Sequence, residues 1–236
     1  MTSKGKTEQQ RAVLDALLER HGQSYAHESG LRLKDTPAPL FELLVLSALL
    51  SANLQADLGV RTARALREAG LTTADKLAGA SDEERWQVLS QAKYLRKEQT
   101  ARQLGQLAER AQQEYAGDLR RMRDAAFAGE GGEGEGGEGD GDGQGGVDAL
   151  REHVQAFTGV GPLGVDIFCR EVQAVWPQLR PFLDERAAGP ARALGLPPDA
   201  AGLADLAGTD DLSRVGAALV RCGIADDADE VRAAAG

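Results

Sequence analysis

At 236 residues with 42% apolar content, the chain is long enough to bury one large core or two smaller ones. Its most apolar run, residues 40–50, is too short to cross a bilayer and carries Glu42, and residues 1–10 are polar; the expectation is a cytoplasmic protein with no membrane contact. Cys169 and Cys222 have no CxxC companion, which argues against a disulfide framework and against a four-thiolate metal site, so two buried thiols and no metal are expected.

The net charge of −10 argues at first sight against a nucleic-acid partner, but the acidity is local. Residues 130–142 carry Glu130, Glu133, Glu135, Glu138, Asp140 and Asp142 without a base, and residues 199–236 carry eight acids against Arg214, Arg221 and Arg232. The rest of the chain holds 24 bases and 23 acids. Local basic clusters, Lys93 with Arg96 and Lys97, and Arg120 with Arg121 and Arg123, are then free to act on an anionic ligand.

The spacing of apolar residues predicts helices nearly throughout. Residues 9–20 place Val13, Leu14, Leu17 and Leu18 on one face. Pro37 and Pro39 precede 41–50, an almost unbroken apolar run suited to a buried helix. Residues 56–69 carry a stripe of Leu58, Ala63, Leu66 and Ala69. Thr73 and Ser81 read as N-caps, the latter with Glu84 at capping-box spacing. Residues 99–115 are amphipathic through Leu104, Leu107 and Ala111. Residues 129–146 alternate Glu or Asp with Gly and hold no apolar residue, which describes a flexible acidic insertion rather than a calcium loop. Helices are expected at 147–157 and 162–175, and two short ones within 199–236. No continuous alternation of apolar and polar residues suggests strands, so the fold class is all-α.

The stretch 157–168, FTGVGPLGVDIF, joins two of these helices through Thr158, Gly159, Val160 and Gly161. Glycines let the backbone bend tightly and approach a ligand, and Pro162 opens a helix whose first amides and positive dipole end point the same way. Such a loop suits a phosphate.

The order of pieces, LFELLVLSALLSANLQAD at 40–57, AKYLRKEQTARQL at 92–104, LREHVQAFTGVGPLGVDIF at 150–168 and RPFLDERA at 180–187, resembles the endonuclease III-like helix-hairpin-helix DNA glycosylases. The resemblance covers about 150 residues, 39–187. It implies a two-domain helical fold: a six-helix barrel with the hairpin over 37–175 (hairpin 148–175), and a second helical domain built from 1–36 with 176–236. It also implies a partner, double-stranded DNA with a damaged base or abasic site, and a nucleoid-associated place in the cytoplasm; separately, the absence of a heptad seam or a long exposed apolar stripe leads to the expectation of a monomer. Gly159, Val160 and Gly161 match the phosphate-binding loop, and Asp184 matches the family's aspartate, a carboxylate that steadies an oxocarbenium-like sugar and orients water. Asn53 falls where members insert a polar side chain into the gap left by a flipped base. Tyr94, Leu95 and Arg96, with Lys97, match a second loop combining a wedge with phosphate-binding cations.

The departures are as specific as the matches. Leu163 stands where bifunctional members carry a lysine nucleophile, so lysine-dependent strand cleavage through this position is not expected. Beyond residue 189 only Cys222 remains, so no iron-sulfur cluster is expected. Thr158, Gly164 and Asp166 stand where the family often has other residues, and Asp166 puts a negative charge near the first turn of the second hairpin helix, good for the helix and poor for phosphate. The resulting expectation is a monofunctional DNA glycosylase whose Asp184 is also placed as a helix N-cap. The alternatives are a noncatalytic DNA-lesion or DNA-structure binder on the same scaffold, and a helical module whose acidic insertion and tail bind a basic protein.

Overall fold

The computed structural model describes residues 3–51, 55–128 and 144–236, and these form helices and connecting loops with no strand among them. Asn53 and residues 129–143 of the acidic insertion lie outside the described residues. Two compact units are formed: a central unit, residues 29–168, and a terminal unit of residues 1–28 with 169–236. The resemblance implies boundaries at 36/37 and 175/176, where the structure divides at 28/29 and 168/169.

The central unit contains α3 (Pro37–Ser51), α4 (Ala56–Glu68), α5 (Ala74–Gly79), α6 (Asp82–Gln91), α7 (Lys97–Tyr115), α8 (Arg120–Phe127), α9 (Gln144–Gln155) and the first part of α10 (Pro162–Val172). Helix α3 begins at a proline, where a missing N–H is harmless, and is apolar around most of its circumference, with Glu42 its one charge; Leu40, Phe41, Leu43, Leu44 and Leu46 are all fully buried. Its Ser47 hydroxyl is satisfied internally, donating to the Leu43 carbonyl at 2.9 Å. Helix α4 lays Leu58, Ala63 and Leu66 of the expected stripe inward, while Ala69, the fourth member, falls at the C-cap and is exposed. Its Arg67 reaches Glu42 of α3 at 2.5 Å and the Ser29 carbonyl at 2.9 Å.

Helix α6 carries the anticipated capping box: the Ser81 hydroxyl accepts from the Glu84 amide, and the Glu84 carboxylate accepts from the Ser81 amide at 2.7 Å. Thr73 stands at the N-cap of α5, but its side chain makes no capping bond. Arg85 is only 5% exposed and donates to the carbonyls of Leu77, Ala80 and Ala101, binding α6 to α5 and α7. Gly105 of α7 makes room for it, since a Cβ there would lie 2.5 Å from Arg85 Nη2.

Helix α8, which the sequence reading treated only as a cluster of arginines, is a distinct element. Arg120 is claimed by Asp118 at 2.6 Å, and Arg123 by Asp35 and Asp124, so two of the three charges expected to face an anion are neutralised in place.

The terminal unit contains α1 (Ser3–His21), the short α2 (Tyr25–Glu28), the end of α10, a 3-10 turn at Pro177–Leu179, α11 (Glu185–Ala193), α12 (Ala200–Ala207), α13 (Ser213–Ala225) and α14 (Ala228–Ala234). Val13, Leu14 and Leu17 of α1 close its core with Ala187, Ala191, Leu203, Leu219, Cys222 and Val231. Residues 199–236 form three helices where two were expected. The breaks are made by Gly208 (φ 69°) after α12 and Asp226 (φ 56°) after α13, both left-handed. Both cysteines are buried free thiols, as read from the sequence. Burial, and then Asp227, push the Cys222 thiol up to about 11. Among the described residues no helix is long and apolar enough to cross a membrane.

Candidate functional site

The hairpin sits at the junction of α9 and α10. Phe157 is buried and accepts at its carbonyl from the Val160 amide at 3.1 Å, closing the turn. Gly159 adopts φ 87°, a conformation that side-chain-bearing residues rarely reach; the requirement is conformational, since an added Cβ would meet Gln103 only at ordinary contact distance, 3.6 Å. The Gly159 amide has no hydrogen-bond partner among the described residues. Val160 turns inward and is 5% exposed, anchoring the loop. Around Gly161 a Cβ would meet nothing within 4 Å, so this stretch of backbone faces open space. Its amide lies 3.3 Å from Ser51 Oγ at the end of α3.

Gly164, which the sequence reading did not weigh as a contact, sets how closely α10 lies on α3. A Cβ there would fall 2.0 Å from Ser51 Oγ and 2.9 Å from the Ser47 carbonyl oxygen. Arg151 of α9 pairs with Asp166 of α10 at 2.8 Å, which offsets the negative charge anticipated near the hairpin's second helix.

Between the hairpin, α3 and the start of α7 lies a cleft of about 160 Å³, lined by Ser51, Tyr94, Arg96, Gln99, Gln103, Thr158, Gly159 and Gly161. That volume is small beside the roughly 300–1,000 Å³ of pockets that enclose drug-sized ligands. It suits a group the size of a phosphate, and its lining offers amides, hydroxyls, carboxamides and one guanidinium. Sequence reasoning brought Gly159, Gly161, Tyr94 and Arg96 to this place but missed Gln99 and Gln103; their spacing on the exposed side of an amphipathic helix next to Arg96 was the available signal.

The loop before α7 divides its side chains sharply. Lys93 has φ 59°, a left-handed kink that sends Tyr94 inward, 2% exposed, with its hydroxyl donating to the Leu49 carbonyl at 3.1 Å. Burial raises the Tyr94 pKa, so it remains a neutral phenol. Tyr94 is therefore a core residue with one edge on the cleft, and the apolar side chain facing solvent is Leu95, 72% exposed. Arg96 caps α7, is exposed, and has no acidic partner among the described residues. Lys97 instead places its ammonium 5.1 Å over the Trp86 ring.

Asp184 belongs to the terminal unit. It is the N-cap of α11, accepting the Arg186 amide at 3.1 Å on one oxygen, while the other accepts from Arg170 Nε at 2.8 Å. The two side chains are 0% and 1% exposed. The buried Nη1 and Nη2 of Arg170 have no hydrogen-bond partner among the described residues, so Asp184 is the carboxylate hydrogen-bonded to this cation, with the buried Glu171 as a second nearby negative charge. Sequence reasoning anticipated the cap and did not find Arg170, whose signal was a lone arginine inside the apolar stretch of α10. Comparison of the chain with known protein families, with curated proteins and with solved structures gives no match.

Proposed function

We propose that the protein binds duplex DNA through the hairpin cleft of the central unit, in the manner of the endonuclease III-like helix-hairpin-helix proteins that the sequence resembles. The observation that carries this reading is the convergence of the polar groups of Gly159, Gly161, Thr158, Gln99, Gln103 and Arg96 on one small cleft. A backbone phosphate accepts hydrogen bonds from every donor type present there, and Arg96 supplies the charge. Leu95, exposed beside the cleft, has the character of a wedge that enters the base stack once the phosphate is seated.

Of the two forms this activity takes, the noncatalytic binder of lesions or unusual DNA structures is better supported than the monofunctional glycosylase. A carboxylate that steadies an oxocarbenium or orients water needs an open lone pair facing the sugar. Both oxygens of Asp184 are engaged by Arg170 and by the α11 cap, without solvent. The glycosylase form keeps one supporting feature, the place of Asp184 in the order of motifs. It requires Arg170 to release the carboxylate on DNA binding. The basic-protein module rests on the acidic insertion, which lies outside the described residues.

The test is a single-turnover incubation with duplexes carrying uracil, oxidised pyrimidines, alkylated purines or an abasic site, each split into alkali-treated and untreated halves. The expected outcome is that the duplexes carrying a modified base stay intact in both halves, that the abasic duplex is cut only by the alkali itself, as in a protein-free control, and that abasic duplex is bound tightly in a hairpin-dependent way. Alkali-dependent cleavage at one modified base selects the glycosylase form, and no binding to any duplex removes both.

A further inference from the structure

The terminal unit brings three different metal-ligating side chains together. His21 ends α1, Cys222 lies in the last turns of α13, and Asp227 precedes α14. His21 Nε2 lies 3.0 Å and 2.9 Å from the two oxygens of Asp227, a residue 206 positions away. One ligand atom from each of the three residues falls within 4.8 Å of the others. Tetrahedral zinc, with bonds of about 2.0–2.3 Å to N, O and S, sets its ligand atoms roughly 3.3–3.8 Å apart, so the cluster needs only a small adjustment to accept it.

The arrangement is not that of an activated nucleophile, in which a histidine stands between thiol and carboxylate. Here Asp227 is the shared partner of both His21 and Cys222, with His21 Nε2 directed at the carboxylate. Three ligands around a common centre is instead the layout of a metal site. Charge also balances: a divalent ion, a thiolate and a carboxylate sum to zero, so Arg20 can keep its 2.6 Å contact with Asp227 Oδ2 and its pairing with Glu230.

We propose that His21, Cys222 and Asp227 form a binding site for a zinc-class divalent metal, with a water in the fourth position. The thiol loses its proton to solvent when the Zn–S bond forms, and His21 binds as the neutral imidazole. Side-chain exposures of 15% for His21 and 9% for Asp227 leave the ion a route from solvent, while Cys222 is closed off. Bound metal fastens the N-terminal helix to the last two helices of the chain. This assignment is independent of the DNA-binding reading and reverses the sequence-based expectation of no metal. No spacing rule links a histidine near one end of a chain to a cysteine near the other.

The test uses the full chain, freed of metal with a chelator, and titrates zinc and cobalt(II) by calorimetry and near-ultraviolet absorption. The expected result is stoichiometric binding, a thiolate-to-cobalt charge-transfer band, and a melting temperature that rises with zinc concentration. Cys222→Ser removes the band and weakens zinc roughly tenfold or more, as loss of a direct ligand must at least match the loss of a supporting contact. Cys169→Ser keeps the band, and Arg20→Gln, which retains all three ligands and removes the neighbouring cation, tightens binding. Absence of stoichiometric metal on the wild-type chain, or a band that survives in Cys222→Ser, overturns the assignment.

Discussion

Asp184 and Arg170 form a pair in which each member is needed chiefly because the other is buried. Removing one partner of such a pair costs more than the pair contributes, since the remaining charge has no water to turn to. Asp184→Asn preserves the helix cap, because asparagine caps well, but strands the Arg170 guanidinium. We expect it to destabilise the protein by about 3–5 kcal/mol, measured by urea unfolding. Any loss of activity in this variant therefore has to be read against its folded fraction. Glu171 beside it makes a different case: its carboxylate accepts the Tyr25 amide at 2.7 Å and the Ala26 amide at 3.1 Å, yet burial is the larger influence and raises its pKa above the ordinary 4.5. A raised acid contributes stability that is full below the unfolded value and is lost as pH rises through the folded value. The stability of Glu171→Gln relative to wild type should accordingly improve as pH rises from 4.5 upward, and parallel pH profiles for the two proteins would refute this. Of these residues the cap at Asp184 was legible in the sequence, because capping is local. The buried pairing with Arg170 was not, because it depends on where α10 is laid relative to α11.

Elements whose signals are local were read well. The α6 capping box, the almost unbroken apolar run of α3 and most of the stripe of α4 all lie in short windows of sequence, and the structure has them within a few residues of expectation. Helix α8 was missed because its face is dominated by arginines, with only Met122 and Ala126 buried. The division of residues 199–236 was missed because one of its breaks, Asp226, is a non-glycine residue in a left-handed conformation. The hairpin was legible through its glycines, but its support was not. Gly164 looks like any small residue in a helix until α3 is placed against it, with Ser51 Oγ at 2.0 Å from the position of a Cβ. Gly164→Ala gains in helix propensity yet forces α10 away from a carbonyl oxygen that cannot rotate aside. The overpacking is expected to cost about 1–3 kcal/mol, seen as a lowered midpoint in thermal or urea unfolding. A more stable variant would mean that α10 is less closely seated on α3 than described.

For the whole molecule the net charge of −10 is a poor guide to the partner, because the excess negative charge is confined to residues 130–142 and 199–236. At cellular salt a charge acts over about 8 Å, so the cleft answers to the groups beside it rather than to the sum over the chain. Several of the cations counted in the sequence are nevertheless spent internally: Arg120 and Arg123 on aspartates, Arg151 on Asp166, and Lys97 over Trp86. Arg96 is the cleft's own cation and has no such commitment among the described residues. A single phosphate contact should therefore carry much of the electrostatic part of binding, and the dependence of affinity on salt should be shallow, well below that of proteins making many phosphate contacts. Arg96→Ala is expected to lower the slope of log affinity against log salt by about one and to weaken damaged and undamaged duplexes alike. Leu95→Ala should do the reverse, leaving the slope unchanged while narrowing the preference for a duplex with a gap in its stack. Fluorescence anisotropy across a salt series reads both variants, and a slope unaffected by loss of Arg96 would move the phosphate contact away from the hairpin cleft.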